Sequence, residues 1–530
     1  MKGIGWPHVA CIIVVAVLVY GNTLGAGFVW DDLVFTQGKS LTHDLSNIPR
    51  FFTTDISSGT NLGHATPYYR PFGMVFGALE YAICGQSPFG YHLINLALHC
   101  AIAVLVLAVS FLLLQDTAVS LAAALIYTVH PVHAESVAYI SSGGELLYTL
   151  LYLAALAIYI RWRDTLLVVR GGVVTLLFVA ALLVKESAIT FPLLIVSLEL
   201  VFPATKSLRR FGWSAFFVAV TCLYMAIRMH FVKAVSWMEC PLPDRFFTSC
   251  GLLIRYLQNI FFPADLKVLY DVPLKVSFFR SDVVVPFCLL LLIGAVLSRG
   301  YNKDRPLLFW GAWFFITISP ASGIPAILHP ALMADRYLCL PLVGCAVVGG
   351  LFRQRVMSHV ETVKRPGDVA KLLHLCGLVV LGLLAVMTVQ RNRIWHDHRT
   401  FVQTMIHDAP DHSLGYEHRG NTESKAGNYT EMARYYFIAH EKDALKLRRY
   451  GSAYLVANRA ADAKRVYNEA LNLFPDDVEA LNGYGVACLK GNNADEAIAY
   501  FSAALAAQPG NREIRMNLQT ALRMQAPTSR

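Results

Sequence analysis

Asp31 and Asp32 stand side by side in Gly27-Phe28-Val29-Trp30-Asp31-Asp32, the first polar stretch after the first apolar run. Ionisable residues near a bilayer are costly to place and usually have a task. A carboxylate there can take a proton from an attacking hydroxyl; the plain alternative is a solvated pair or a helix cap. Further along lie Arg70 in Tyr69-Arg70-Pro71 and the run His130-Pro131-Val132-His133-Ala134-Glu135-Ser136-Val137. Then come Lys185-Glu186 and Asp335-Arg336-Tyr337. Arginine grips a phosphate with paired donors. His130, His133 and Glu135 could bind a divalent cation, orient a phosphate or tune the acidic pair. Lys185-Glu186 could simply neutralise itself, and Asp335-Arg336 could be a snorkelling anchor.

The elements that must hold these residues are membrane helices. The chain has 530 residues, 55% of them hydrophobic and 15% charged, against roughly 25% charged in soluble domains. Apolar runs near membrane length recur from Val9 to Val389, which predicts an all-α, polytopic membrane protein. Spans are expected near 8–24, 89–114, 117–131, 145–160, 166–184, 187–203, 212–232, 282–298, 306–320, 336–352 and 370–389. The first run is read as a retained anchor rather than a cleaved signal. The net charge of +9 sits in short loops and is no nucleic-acid signal.

Those loops orient the chain. Arg161/Arg163/Arg170, Lys206/Arg209/Arg210, Arg299/Lys303/Arg305 and Arg353/Arg355/Lys364/Arg365 fall on one side, which the positive-inside rule makes cytoplasmic. His130–Ser142 and Ser319–Asp335 carry no Lys or Arg and face outward. Eleven spans then leave the N-terminus inside and the C-terminus outside. Segment 246–262, apolar but holding Arg255 and Gln258, is read as a helix lying in the outer interface. Two long outer loops, 25–88 and 233–281, complete the membrane domain over 1–390. Most of the eleven cysteines lie in spans as small hydrophobes; Cys240 and Cys250 share a loop and could pair. On this topology all five polar motifs share the outer face, as the lining of one wet cavity. Such a cavity suits glycosyl transfer from a polyprenyl-phosphate sugar. Clustering at one face rather than at the midplane argues against a transporter.

Beyond a linker at 391–411 the composition turns polar and a 34-residue period appears. Gly451 recurs as Gly485, Ala453 as Ala487, Ala463 as Ala497, Tyr467 as Phe501, Ala470 as Ala504, Leu471 as Leu505 and Pro475 as Pro509. Small residues at helix crossings, an aromatic and a terminal proline form the tetratricopeptide (TPR) pattern, an α-solenoid of helix hairpins over 412–530. A degenerate earlier copy is expected over 412–442, and a capping helix over 511–524. Such an array can hold a polypeptide, or serve only for packing or dimerisation.

In order and combination these motifs resemble the transmembrane-and-TPR (TMTC) O-mannosyltransferases and, more distantly, the protein O-mannosyltransferases of the GT-C glycosyltransferases. The carriers are Phe28-Val29-Trp30-Asp31-Asp32, Tyr69-Arg70-Pro71, Tyr91-His92-Leu93-Ile94-Asn95 with His99, and the run from His130 to Val137. Leu183-Val184-Lys185-Glu186-Ser187, Ala334-Asp335-Arg336-Tyr337-Leu338-Cys339-Leu340-Pro341 and the repeats complete them. Two places depart. The family often has Arg-Ala-Asp-Leu after the His/Glu motif, where this chain has Ser142-Gly143-Gly144-Glu145-Leu146, which removes a charge. Its Glu-Arg-Tyr is Asp335-Arg336-Tyr337 here. With its short array, the chain resembles a bacterial member, placed in the inner membrane with periplasmic repeats.

The resemblance implies an inverting transferase moving mannose from a polyprenyl phosphate to Ser or Thr of exported proteins. It implies Asp31 or Asp32 as base, and Arg70 and Arg336 on the donor phosphate. Lys185, oriented by Glu186, would add charge. His130, His133, Glu135 and Asp335 would shape the site, with a divalent cation as an option at His133 and Glu135. The rivals are a transferase acting on a lipid or cell-envelope glycan, and a non-enzymatic membrane scaffold whose repeats dock partners.

Overall fold

The computed structural model describes residues 3–60, 66, 68–163, 168–203, 211–231, 241–324, 333–360 and 366–525. All regular elements among them are helical. Apart from one-turn and 3-10 helices they are, in chain order, α1 (Trp6–Tyr20), α2 (Pro71–Cys84), α3 (Pro88–Leu114), α4 (Thr117–Val129), α5 (His133–Ala138), α6 (Gly143–Trp162), α7 (Val168–Val184), α8 (Phe191–Val201), α9 (Gly212–Phe231) and α10 (Leu242–Phe261). There follow α11 (Ser281–Lys303), α12 (Arg305–Ile318), α13 (Pro341–Val360), α14 (Pro366–Asn392) and α15 (His398–Asp408). The repeats are α16 (Ser413–Lys425), α17 (Tyr429–Val456), α18 (Ala460–Leu473), α19 (Val478–Lys490), α20 (Ala494–Ala507) and α21 (Arg512–Gln525).

Each of the eleven expected spans is mainly helical over its described residues, but they are not alike. Six helices among the described residues are long and apolar enough to cross a membrane: Trp6–Thr23, Pro88–Leu114, Ile140–Trp162, Gly212–Phe231, Ser281–Arg299 and Gly367–Trp395. The others are shorter or less apolar. α4 has 13 residues, about 20 Å of helix against a hydrocarbon core of about 30 Å. Pro131, Pro192 and Pro341 explain where such helices stop or start, since proline cannot continue a helix from the N-terminal side. The chain is thus an integral membrane protein by composition and by helix length. Lys206, Arg209, Arg210, Lys364 and Arg365 lie outside the described residues, as does Cys240, so its pairing with Cys250 is not placed. α10, over the segment read as interfacial, is amphipathic: Tyr256 and Asn259 are buried while Phe246 and Phe261 are exposed. It is not among the six spans.

The chain forms two compact units. The first comprises Met1–Glu239, Leu252–Val268 and Phe287–Phe401; the second Cys240–Gly251, Leu269–Pro286 and Val402–Arg530. In the first, α3 packs on α4 and α6, α6 on α7, and α4 on α13. The core is dense in tyrosine, with Tyr91, Tyr127, Tyr148, Tyr152 and Tyr159 nearly or fully buried. In the second, loop residues Leu274 and Val276 pack into the apolar core of the repeats with Tyr454, Val466 and Tyr484.

The repeats fold as their spacing demands. A Cβ on Gly451 would meet the Tyr467 ring at 2.6 Å, and one on Gly485 would meet Phe501 at 2.6 Å, so only glycine lets each hairpin close. The same clasp appears between Gly420 and Tyr436, at 2.7 Å, within the degenerate copy. That copy differs at its far end. α17 runs unbroken for 28 residues, through the position where Pro475 and Pro509 end the later hairpins. Glu441-Lys442-Asp443-Ala444 offers no proline or glycine to stop it.

Candidate active site

The acidic pair lies where α1 gives way to a loop. Trp30 takes a positive φ of 52°, an uncommon backbone state for a bulky residue. It is held there by stacking on Tyr139 at 5.7 Å and Phe401 at 5.5 Å. The kink sets the two carboxylates apart in role. Asp32 is fully buried and begins a one-turn helix, Asp32–Phe35. Its Oδ2 accepts the Val29 N–H at 3.0 Å, and its Oδ1 accepts the Ser141 N–H at 2.8 Å and the Ser141 hydroxyl. Burial pushes its carboxyl up to about 7, against the pull of those hydrogen bonds. Asp31 is only half-buried and accepts the Tyr139 hydroxyl at 2.8 Å. Burial raises its carboxyl too, partly offset by Tyr139 and the nearby charge of Arg336.

Arg336 acts on Asp31, and Arg336 and Arg70 both act on Lys185; each of these three cations is tied to a carboxylate. Arg336 pairs through Nη1 with Glu135, whose other oxygen accepts the Arg336 N–H at 3.0 Å. Its guanidinium lies over Trp30 at 5.7 Å and Tyr337 at 5.2 Å. Arg70 forms a fork on Glu186, Nε at 3.0 Å and Nη2 at 2.6 Å, and covers the Tyr68 ring at 4.3 Å. Burial works to raise the Glu186 carboxyl, but the charge and hydrogen bonds of Arg70 outweigh it and hold it at about 2. Lys185 pairs with Glu145 and lies 4.8 Å from the Tyr337 ring. Burial, then Arg70 and Arg336, push its ammonium well below its usual value. The mutual effect of the three cations puts them within one electrostatic neighbourhood, whose strain an added anion would relieve.

The structure therefore brings together Asp31, Asp32, Arg70, Glu135, Lys185, Glu186 and Arg336. It re-pairs them relative to the sequence reading. Glu186 does not orient Lys185: adjacent side chains on an extended residue diverge, and Glu186 reaches across to Arg70. Asp335 turns to Asn259 at 3.1 Å and Arg391 at 3.5 Å, away from the side on which Arg336 meets Glu135. His130 faces the Ile260 carbonyl at 2.8 Å, and burial lowers its imidazole to about 4. His133 packs on Tyr127 at 4.2 Å and His99 at 5.2 Å. Among the described residues no three His, Cys, Asp or Glu side chains gather to hold a metal ion. His130 is turned to the Ile260 carbonyl, His133 packs among aromatic rings, and Glu135 is engaged by Arg336.

Sequence reasoning missed Tyr139, Ser141 and Glu145. All three follow the His/Glu run within ten residues, so α5 and the turn after it supply neighbouring members of one polar cluster. Glu145 is the departure taken as a lost charge, yet it supplies the carboxylate that meets Lys185.

Relatives can now be compared. The tetratricopeptide repeat family matches residues 450–512. Mouse protein O-mannosyl-transferase TMTC3 is 24% identical over 527 residues, 90% of this chain and 56% of that protein. The chain is TMTC-like. Drosophila Tmtc1, another named protein O-mannosyl-transferase, is 24% identical over 78% of this chain and 59% of its own length. Drosophila Tmtc2 reaches 36% identity, over 33% of this chain and 20% of that protein. The chain thus spans a little over half the length of the TMTC3 and Tmtc1 relatives it matches. Among solved structures, an Archaeoglobus fulgidus oligosaccharyltransferase holding an acceptor peptide aligns with 81% of this chain and 58% of its own, at 13% identity. Its TM-score of 0.39 is too low to carry a fold assignment.

Proposed function

We propose that this TMTC-like chain is a GT-C type membrane glycosyltransferase that moves a sugar, mannose foremost, from a polyprenyl-phosphate donor to Ser or Thr hydroxyls of exported proteins. One observation carries the reading. A carboxylate pair with raised proton affinity lies within reach of Arg336, which together with Arg70 acts on Lys185, and each of these three cations is paired with a glutamate. Phosphate would take the remaining donors of Arg70 and Arg336, with Lys185 adding charge. Glu186, Glu135 and Glu145 hold those cations in place. His130 and His133 shape the wall.

The chemistry is a single displacement. The acceptor oxygen attacks the anomeric carbon as the bond from that carbon to the phosphate oxygen breaks. The acceptor proton passes to a carboxylate, and polyprenyl phosphate leaves carrying the negative charge. The configuration inverts. Asp31 is the better base, because it keeps an open side while Asp32 is closed in by three donors. Asp32 is then a positioning residue. The site would lie on the non-cytoplasmic face, with the N-terminus inside and the repeats outside; in a bacterium that is the periplasmic side of the inner membrane. There the array would hold the acceptor. It offers a cavity of about 460 Å³ lined by Ala444, Arg448, Phe474, Pro475 and Asp477. A buried ionised network of this kind is costly and serves no evident end in a mere scaffold.

Purified full-length chain, given a synthetic polyprenyl-phosphate mannose and a Ser/Thr peptide, should release polyprenyl phosphate in step with glycopeptide. Donor consumption only when a lipid or glycan acceptor replaces the peptide would reassign the acceptor. No consumption with any acceptor would remove the enzyme reading.

A further inference from the structure

Tyr139 touches the carboxylate assigned as base, yet no step of the transfer uses it. Its hydroxyl donates to Asp31 Oδ2 at 2.8 Å. Its ring is held by two stacks, on Trp30 at 5.7 Å with planes 16° apart and on Trp395 at 5.1 Å with planes 24° apart. Phe401 closes the set, 5.5 Å from Trp30 and 4.8 Å from Trp395. All four rings are buried, and stacked aromatics fix geometry beyond what area burial gives. The hydroxyl cannot swing off Asp31 without breaking a stack. Tyr139 also acts on Asp31 through the backbone, since it helps to hold Trp30, the preceding residue, at its positive φ of 52°. The other charged groups here are Asp32, next in the chain, and Arg336, itself engaged by Glu135. His398 Nδ1 accepts the Trp30 N–H at 3.3 Å. Burial raises the Asp31 carboxyl, and the Tyr139 hydrogen bond opposes it more than Arg336 does. Burial, then Asp31 and Asp32, raise the Tyr139 phenol well above its usual value, so it keeps its proton and donates.

We propose that Tyr139 is the positioning residue of the base: clamped by Trp30 and Trp395, it fixes Oδ2 of Asp31 and leaves Oδ1 to take the proton of the acceptor hydroxyl. The same bond keeps Asp31 ionised at a depth where burial favours the neutral acid. The use of this clamp in catalysis rests on the transfer reading; the hold of Tyr139 on Asp31 does not.

Dicyclohexylcarbodiimide adds to a carboxyl only while it is protonated, so its rate at Asp31 falls as pH rises through that group's titration. Fragmentation of the labelled peptide separates Asp31 from Asp32. In the full chain without donor, Tyr139→Phe keeps the ring and removes the hydroxyl, and the labelling midpoint at Asp31 should move up by about one pH unit. 3-Fluorotyrosine at position 139 keeps the hydroxyl and makes it a stronger donor, so the midpoint should move down. An unchanged midpoint in both variants, or a shift in the same direction in both, would overturn the proposal. The second arm is transfer itself. Tyr139→Phe should carry the acid limb of kcat/KM up by the same unit, a loss of about tenfold below the limb, and should lower kcat on the plateau at unchanged donor KM. A moved midpoint with an unchanged plateau would overturn the positioning role. A wild type that transfers no sugar would remove the transfer reading instead, and the labelling would still decide the clamp.

Discussion

Asp32 and Asp31 are chemically identical, but their surroundings differ: Asp32 is fully buried and closed in by three donors, Asp31 is half-buried. Because burial lifts Asp32 to about 7, the folded chain holds a proton there that the unfolded chain releases near 4. That linkage stabilises the fold fully below pH 4 and is lost as pH rises through 7. Wild type should therefore lose thermal stability between pH 4 and 7, and Asp32→Asn should show a flatter profile; parallel slopes in a melting series would contradict the burial argument. Glu186 works with the opposite sign. Its depressed carboxyl stabilises above about pH 4.5, and that contribution is lost as pH falls through 2. On activity, Asp31→Asn should lower turnover about a hundred- to ten-thousandfold at unchanged expression. Arg336→Lys keeps the charge but loses the planar fork, so it should raise the donor KM more than Lys/Arg exchange at exposed Arg434 does. Equal donor KM in wild type and Arg336→Lys would end the phosphate role. The carboxylates and arginines were legible because rare charges in an apolar chain stand out. Their pairing was not. Which carboxylate meets Lys185 depends on how α6 and α7 pack, and no spacing in the sequence records that Glu145, 40 positions away, comes closer than neighbouring Glu186.

At the scale of elements, the ion pairs act as clasps between helices. Lys185 follows α7 and Glu145 begins α6, so Glu145→Ala leaves a buried ammonium unpaired. A loss of about 3–5 kcal/mol is expected, and the double change Glu145→Leu/Lys185→Met should recover much of it. A double variant no more stable than the single one would show that the pair is not the cause. In the second unit, Asp244 at the start of α10 is fully buried and takes both oxygens onto Arg459 at 2.5 Å. Arg459→Met should cost a similar amount, seen as an earlier melt of the repeats by hydrogen exchange. Helices and the 34-residue period were readable because each repeats its pattern many times. The fused α17 was not anticipated. Its cause is a missing stop signal, and absences are harder to read than motifs. The short α4 and α8 likewise passed as full spans, because apolar composition marks a segment as buried without saying whether lipid or protein buries it.

For the whole molecule, the account places chemistry in one unit and acceptor capture in the other. Removing 445–530 would strip the cover from Leu274 and Val276, so a local change is the cleaner probe of capture. Glu441→Lys, on the cavity at the array, should slow modification of whole proteins while leaving a short peptide unaffected, since only remote binding is lost. Equal slowing of both acceptors would tie Glu441 to stability instead. A cysteine placed on an exposed repeat position should react with a membrane-impermeant thiol reagent in intact cells, while one near Arg210 should not; the reverse pattern would invert the topology.

The most direct measurement is mass spectrometry of exported proteins from three otherwise identical strains, carrying the full chain, no chain, or Asp31→Asn. The account predicts a hexose on Ser or Thr with the full chain, none without it, and a strong reduction in the Asp31→Asn strain at equal protein level. The same hexose at the same sites in all three strains would contradict it.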